Sequence, residues 1–423
     1  MLLRFSFDRV KYLKFCAFCW GLSLGLPSTS IPLSNIFGIT LAHFLMFATL
    51  TAVLSRLRSF HLLCWMALVS PALISTLFIP TIDAGLTLKY LGDLVIATLP
   101  LLFTMVLALS FGLEILKGSA VIILVNVAFG FYQMLCGVLG RTFDLGFLYN
   151  YPQYNFTANG LQAMCDTFRP FGLFPEPSAT NAALSPWILL LLALGFGLIK
   201  FKQSLVDEEC LRMFKVAGLL GVLLVFFSKS GHTIFLLFGL SGIFILLVKK
   251  YVRQRRWSLL TLTLAVIPLI VVVGLYLTSQ RIESQFDPAG VGNNSWSKRF
   301  NAIMDSVDIW LNYGFLRIFF GCGGDAARIV FAEKGSDAIW SVLMTHVVNT
   351  GICGLLFILG VFVAGLNAIK RSGVVLVGFV FFSVWLLGIT FTTCYQSLTA
   401  VWASLGWLLV WDKCVKRSDE VAC

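Results

Sequence analysis

Apolar residues in this chain run on without interruption for longer than a soluble helix or strand allows. A helix crossing the hydrocarbon core of a bilayer needs about 20 mostly apolar residues. Twelve stretches approach or reach that length: 15–27, 36–54, 60–79, 90–113, 119–138, 182–200, 214–228, 232–248, 258–277, 341–366, 373–392 and 395–411. The first and seventh are short, so either is a tilted, partial or broken span. A transmembrane β-barrel would instead alternate apolar and polar residues over about ten positions. Backbone polar groups in lipid must be satisfied within the chain. The pattern therefore predicts an all-α, polytopic membrane protein with about 12 transmembrane helices, forming a single domain over 1–423. Composition agrees, with 58% hydrophobic and 12% charged residues, where a soluble domain is nearer a quarter charged. A water-soluble globular fold and a disordered chain are both excluded.

The charges set the orientation. The formal net charge is +11, which in a soluble protein would suggest a nucleic-acid partner. With twelve spans and the N-terminus inside, 21 of the 31 Lys and Arg residues fall in cytoplasmic segments, as the positive-inside rule requires. The run KKYVRQRR (249–256) is the strongest single marker. The basic excess is thus a topology signal, and no nucleic-acid partner is expected. The basic N-terminus leads into an apolar run with no small-residue cleavage site after it, which predicts a retained first helix and both termini in the cytoplasm.

Two segments, 139–181 and 278–340, are too long and polar to be simple turns, and both fall on the outer face. Function is expected there, over a bundle that holds them. The first ends in FRPFGLFPEPSATNAAL (168–184). Arg169 is a candidate to fork onto phosphate oxygens. Glu176, held between Pro175 and Pro177, is a candidate proton acceptor, with Ser178 as N-cap of the following helix. The plainer alternative is a helix-start signal with a solvated arginine. Between the seventh and eighth stretches, SKSGH (228–232) must turn tightly. Lys229 is either a phosphate contact or a snorkelling lysine. His232 carries the one side chain that ordinarily titrates near neutral pH, though a lone histidine is more often a polar end-group.

In the second segment Phe300, Ile303, Met304, Val307, Trp310 and Leu311 recur at helical spacing. This predicts an amphipathic helix near 299–313, capped by Ser295 or Ser297, that lies on or dips into the outer membrane interface with those residues as its dry face turned down. Its start, with Lys298 and Arg299, suits an anion; a packing helix over the bundle mouth is the alternative. IFFGCGGDAARI (318–329) predicts a tight turn, and GSDAIWSVLMTHVVNTGICGL (335–355) a helix capped by Ser336 or Asp337. Asp337 is also a candidate functional carboxylate, whereas His346 reads as a buried polar residue. Asp93 sits just inside the fourth stretch, where it either has a function or reaches water. Cys165 and Cys322 are the two cysteines of the outer segments and the candidates for a disulfide. No metal-ligand cluster, P-loop, nucleophile elbow or nucleotide-sugar signature is present, so no cofactor and no metal are expected.

Taken in order, these residues resemble the O-antigen polymerase and ligase superfamily of bacterial inner membranes. FRPFGLFPEPSA resembles its R-x-x-G-x-F-x-E-P-S element. FFSKSGH resembles its S-R-[ST]-G turn, with Lys229 where arginine is usual. Lys298, Arg299 and Phe300 followed by GCGG, and then by the helix ending GICGL, resemble its second loop and the helix after it. The resemblance covers the second half of the chain. It implies a metal-independent glycosyltransferase of the membrane-embedded GT-C-like type. Such an enzyme moves a growing glycan from undecaprenyl diphosphate onto the next lipid-linked repeat unit, or a finished glycan onto lipid A-core. Ligases carry a histidine eleven residues before the motif glycine. Trp340 stands there relative to Gly351, so the polymerase is favoured and the ligase is the alternative. A flippase for lipid-linked oligosaccharide is the competing class, but it would place ionisable groups at mid-span.

On the polymerase reading, Arg169 and Arg299 bind the departing diphosphate, with Lys229 and Arg281 beside them, and Glu176 or Asp337 acts as base. His232 and Trp296 line the substrate. Tyr149, Tyr151, Tyr154 and Phe171 are further candidates to stack on sugar rings, with interfacial anchoring as the alternative for each. The expected partners are undecaprenyl-diphosphate-linked oligosaccharides as donor and acceptor, Gram-negative inner-membrane lipids and a chain-length regulator protein.

Overall fold

A computed structural model describes residues 8–32, 38–79, 84–150, 158–202, 206–259, 263, 295–312, 314–325, 341–390 and 399–417. The chain is mostly helical. Its helices are α1 (Arg9–Ser23), α2 (Leu41–Leu54), α3 (Ser59–Phe78), α4 (Ala84–Leu139), α5 (Ala158–Asp166), α6 (Pro177–Gly195), α7 (Glu208–Phe227), α8 (Thr233–Arg253), α9 (Ser295–Asn312), α10 (Phe315–Phe320), α11 (Val342–Ser372), α12 (Val375–Thr390), α13 (Thr399–Leu409) and α14 (Trp411–Cys414). Among the described residues, six helices are long and apolar enough to cross a membrane. Eleven of the twelve apolar stretches fall on helices; nearly all of 258–277 lies outside the described residues.

The longest helix is not straight. Phe111 is non-helical at φ −136°, ψ 27° and divides α4. Trp20 of α1 donates to Thr104 Oγ1 at 2.9 Å, while Gly21 abuts Ile115 and Gly118 in the second half. A straight helix would hold Thr104 and Gly118 roughly 21 Å apart. One turn of α1 cannot span that, so the chain bends sharply at Phe111. Gly21 and Gly118 let the backbones of α1 and α4 touch, the small-residue device of membrane helices.

α6 lies at the centre, buried along its whole length and packed by α4, α7, α8, α12 and α13. Trp187, Trp385 and Trp407 fill the core around it. Trp187 and Trp385 donate to carbonyls of the α13 segment, Ala400 at 3.3 Å and Val401 at 2.9 Å, because an indole N–H buried without an acceptor is costly.

Two antiparallel ribbons interrupt the all-α expectation. β1 (Ser30–Pro32) pairs with β2 (Gly38–Thr40), and β3 (Ile199–Phe201) pairs with β4 (Val415–Arg417), setting Lys200 opposite Lys416. At the same end Lys202 donates to the Asp412 carbonyl at 2.6 Å, Arg371 meets Asp412 at 2.9 Å, and Lys250 donates to the Phe196 carbonyl at 2.9 Å. Basic residues predicted to share one side are thus brought to one end of the bundle from four separate parts of the chain.

α9 starts at Ser295, four residues before the expected 299. Of the expected dry face, Ile303, Val307 and Trp310 are half-buried against the protein. Ala302, Ser306 and Ile309 are buried, while Met304 and Leu311 are half exposed. The helix packs on α10 and α11 through its narrow face, and Trp310 donates to the Ile318 carbonyl at 3.1 Å. The cap of α11 is Ser341, whose hydroxyl accepts from Met344 N at 3.1 Å, and not Ser336 or Asp337.

Candidate active site

The stretch 168–176 enters the bundle as irregular backbone, whose buried polar groups need partners within the protein. Two polar side chains of α4, two turns apart on one face, do this. Gln133 Oε1 accepts from the amides of Phe171 at 2.9 Å and Gly172 at 3.0 Å, and its Nε2 donates to the Gly172 carbonyl at 2.8 Å and to the Tyr149 hydroxyl at 2.8 Å. Tyr149 donates in turn to the Gly172 carbonyl. Asn126 Oδ1 accepts from Leu173 N at 2.7 Å, and its Nδ2 donates to the carbonyls of Gly25 at 3.1 Å and Ile122 at 2.9 Å. Thr180 donates to the Phe171 carbonyl at 2.7 Å. Gly172 has φ +59°, and a Cβ there would strike Asn126 Oδ1. The glycine is therefore required by both backbone conformation and space.

This cradle fixes where the functional candidates emerge. Arg169, half-buried, donates from Nε to the Ser228 carbonyl at 3.4 Å, which sets it beside Lys229. Lys229 is half-buried and takes the left-handed conformation at φ 48°, a strained choice for a residue with a Cβ. Below it, Ser228 donates to Asn181 Oδ1 at 3.2 Å, and Asn181 Nδ2 donates to Thr233 Oγ1 at 3.2 Å. These bonds pin the 228–232 turn to the first turns of α6. His232 is buried, with Nδ1 3.2 Å from the Ser230 hydroxyl and its ring edge-on to Phe235.

Glu176 occupies the N-cap position of α6 and Pro177 the first helical position. Ser178, expected as the cap, lies instead inside the first turn and donates its hydroxyl to Glu176 Oε1. The reason is local: proline at the first helical position pushes its predecessor into extended backbone, here φ −161°, ψ 161° at Glu176.

The structure thus collects Arg169, Glu176, Lys229 and His232 at one end of α6, α7 and α8. Arg299 and Trp296 lie in the first two turns of α9; Arg281 and Asp337 fall outside the described residues. Tyr151 and Tyr154 also lie outside. Two aromatics expected to stack on sugars do not face a ligand. Phe171 and Tyr149 are fully buried and pack on each other at 5.5 Å and on Phe143. Burial holds the Tyr149 hydroxyl well above its usual pKa, which suits its use as a neutral donor to Gly172. Cys165 and Cys322 are both free, each in its own apolar cluster, so no disulfide joins the two segments.

A second motif pair also meets. Gly321 of GCGG and Gly351 of GICGL have φ +80° and +66°, and a Cβ on Gly351 would sit 2.5 Å from Gly321 N. Cys322 N donates to the Val348 carbonyl at 2.8 Å. Gly351 breaks α11 at φ 66°, ψ −158°, and the GCGG turn seats in that break. His346 is buried beside it, as expected.

No sequence motif marks Gln133, Asn126, Asn181 or Thr233 as the polar partners of this site. Asn126 and Gln133 had a usable signal, as amides seven apart in an otherwise apolar helix. No protein-family model, no curated protein and no solved structure matches the chain.

Proposed function

We propose that the chain is a multi-pass membrane glycosyltransferase that polymerises a lipid-linked glycan. On this reading about twelve helices cross a Gram-negative inner membrane, both termini are cytoplasmic, and the site at the start of α6 faces the periplasm. The observation that carries the proposal is the hydrogen-bonded cradle. It fixes Arg169 beside Lys229 at the same helix end as Glu176, and a chain has little reason to hold irregular backbone in an apolar bundle unless the groups it presents are used.

The chemistry follows from those groups. An acceptor hydroxyl of the incoming repeat unit forms a bond to the anomeric carbon of the growing chain. The bond from that carbon to undecaprenyl diphosphate breaks, with inversion. Arg169 and Lys229 stabilise the charge that develops on the departing diphosphate, the main electrostatic task of such a transfer. Glu176, its carboxylate oriented by Ser178, takes the hydroxyl proton. Arg299, Arg281 and Asp337 remain candidates from the second segment.

The test is complementation of a deletion strain with Arg169→Ala and Glu176→Gln, followed by gel analysis of lipopolysaccharide at matched membrane abundance. Collapse of the ladder to a single repeat is expected; a normal ladder from both variants refutes the assignment. Elongation of a lipid-linked repeat by purified protein in detergent separates a polymerase from a flippase. A requirement for lipid A-core as acceptor would indicate a ligase.

A further inference from the structure

At the opposite end of the bundle lies a cavity of about 1050 Å³ that the proposed reaction does not use. It opens among the α2–α3 turn, the bend of α4, the C-terminal turn of α11 and the α13–α14 junction. From Gly112 to Gln133 the helix runs on unbroken, roughly 30 Å of axis at the ordinary rise. The cavity and the 168–176 cradle therefore sit at the two ends of the same helix.

Its lining is electrically lopsided. Arg56, Arg58, Arg371 and Lys413 face a single carboxylate, Asp412. That carboxylate is buried and already engaged by Arg371 Nε at 2.9 Å, with Lys413 Nζ at 3.9 Å. More than half of each of those two cationic side chains still faces outward. The Arg56 guanidinium lies over the Phe111 ring, 5.3 Å from its centroid, a stacking that holds the fork in place while its N–H edges stay available. Arg58 is tied at its backbone, whose N–H donates to His61 Nδ1 at 3.3 Å. The cations are thus presented from three different elements around one opening, with an excess of about three positive charges that Asp412 does not neutralise.

Most of the remaining wall is apolar, Leu57, Phe60, Val106 and Leu109 among others, with Ser55, His61 and Ser110 as its polar members. Beside the exposed Phe60, Leu63 of α3 and Leu54 of α2 stand exposed outside the cavity, so apolar surface continues from the cavity mouth along the helices. An anionic centre beside a hydrocarbon wall, at the end of bilayer-length helices, matches a lipid head and the start of its acyl chain.

We propose that this cavity is a binding site for the phosphate groups of an anionic membrane lipid, held by Arg56, Arg58, Arg371 and Lys413. The shared chemistry is phosphate; the apolar wall assigns the source to a lipid and not to free phosphate.

Native mass spectrometry of the purified full-length protein, titrated with cardiolipin, phosphatidylglycerol or phosphatidylcholine, tests this. Arg56→Gln/Arg58→Gln is the principal variant, since both side chains are exposed and neither holds Asp412. At about tenfold or less per cation, the double variant should weaken cardiolipin binding roughly thirtyfold. Arg56→Lys/Arg58→Lys should restore most of it. Arg253→Gln/Arg255→Gln, at the same end but outside the cavity, should leave binding unchanged. Equal cardiolipin retention by wild type and the Gln double variant overturns the site. Equal binding of phosphatidylcholine overturns the anionic chemistry. Displacement of cardiolipin by equimolar inorganic phosphate or diphosphate overturns the lipid source. A monodisperse Arg→Lys variant that binds, beside a monodisperse Arg→Gln variant that does not, excludes misfolding as the cause.

Discussion

Gln133→Met removes the hinge of the cradle while nearly conserving side-chain volume. In the wild type the Gln133 side chain is fully buried and makes four hydrogen bonds, two accepted and two donated. Methionine satisfies none of them. The Gly172 carbonyl keeps Tyr149 as donor, and Leu173 N keeps Asn126. The amides of Phe171 and Gly172 lose their acceptor in a dry interior. At about 1–3 kcal/mol for each stranded polar group, the loss is about 2–6 kcal/mol. It falls on one short segment, because the helices around it pack through other residues. The segment should then open locally while the bundle stays folded. With a tenfold change for every 1.4 kcal/mol or so, the Phe171 and Gly172 amides should exchange with deuterium roughly thirtyfold faster or more. Exchange across α7 should not change. Hydrogen–deuterium exchange with peptide-level mass spectrometry on detergent-solubilised protein reads both. Unchanged protection over 168–174 in a folded Gln133→Met protein would refute the argument that this glutamine holds the segment. If the segment is the catalytic one, the same variant should also shorten or abolish the glycan ladder.

Other perturbations follow from the same geometry. Gly351→Ala puts a Cβ against Gly321 at positive φ, so it should prevent recovery of monodisperse protein in fluorescence-detected gel filtration. Gly360→Ala in the same helix meets nothing within 4 Å and should be neutral or stabilising by up to about 1 kcal/mol. Asp412→Asn breaks the pair with Arg371; that arginine is 60% exposed, so the loss is discounted to about 1 kcal/mol, and Asp412→Asn/Arg371→Gln should cost less than the sum of the single changes in thermal unfolding. The Cys165 thiol is pushed up to about 12, chiefly by burial, so native protein should resist maleimide at pH 8 there and react once denatured. The linkage sign is fixed by the raised pKa: this thiol's contribution is intact below pH 9 and is lost progressively from there towards pH 12, as the unfolded chain ionises first. Rising stability across that window would contradict its burial.

Some of this molecule is written locally. Hydropathy and the basic runs mark the helices and predict which residues share an end; Arg371, Lys202 and Lys416 do gather around the α14 segment. The PEPS run reads as a helix start, and it is one, with Glu176 and not the expected Ser178 at the N-cap position. The errors are also local in origin. The apolar stripe of α9 marks a dry face but not what covers it: Ile303, Val307 and Trp310 are half-buried while Met304 and Leu311 stand exposed, because lipid-facing and packed surfaces are both apolar and periodicity cannot tell them apart. Phe171 and Tyr149 look like sugar-stacking aromatics because their composition is right, but they are core.

What the residues alone determine is a property of neighbours along the chain: which runs are apolar, where helices begin, which segments are basic. What the tertiary structure decides is which distant groups satisfy one another. Gln133 meets Gly172 across 39 positions, Arg169 meets Ser228 across 59, and Gly321 meets Gly351 because both lack a Cβ. A buried polar group needs a partner but does not name it. The partner is supplied by the packing of other helices, and that packing, more than any one motif, places an arginine, a lysine and a glutamate at one end of the bundle.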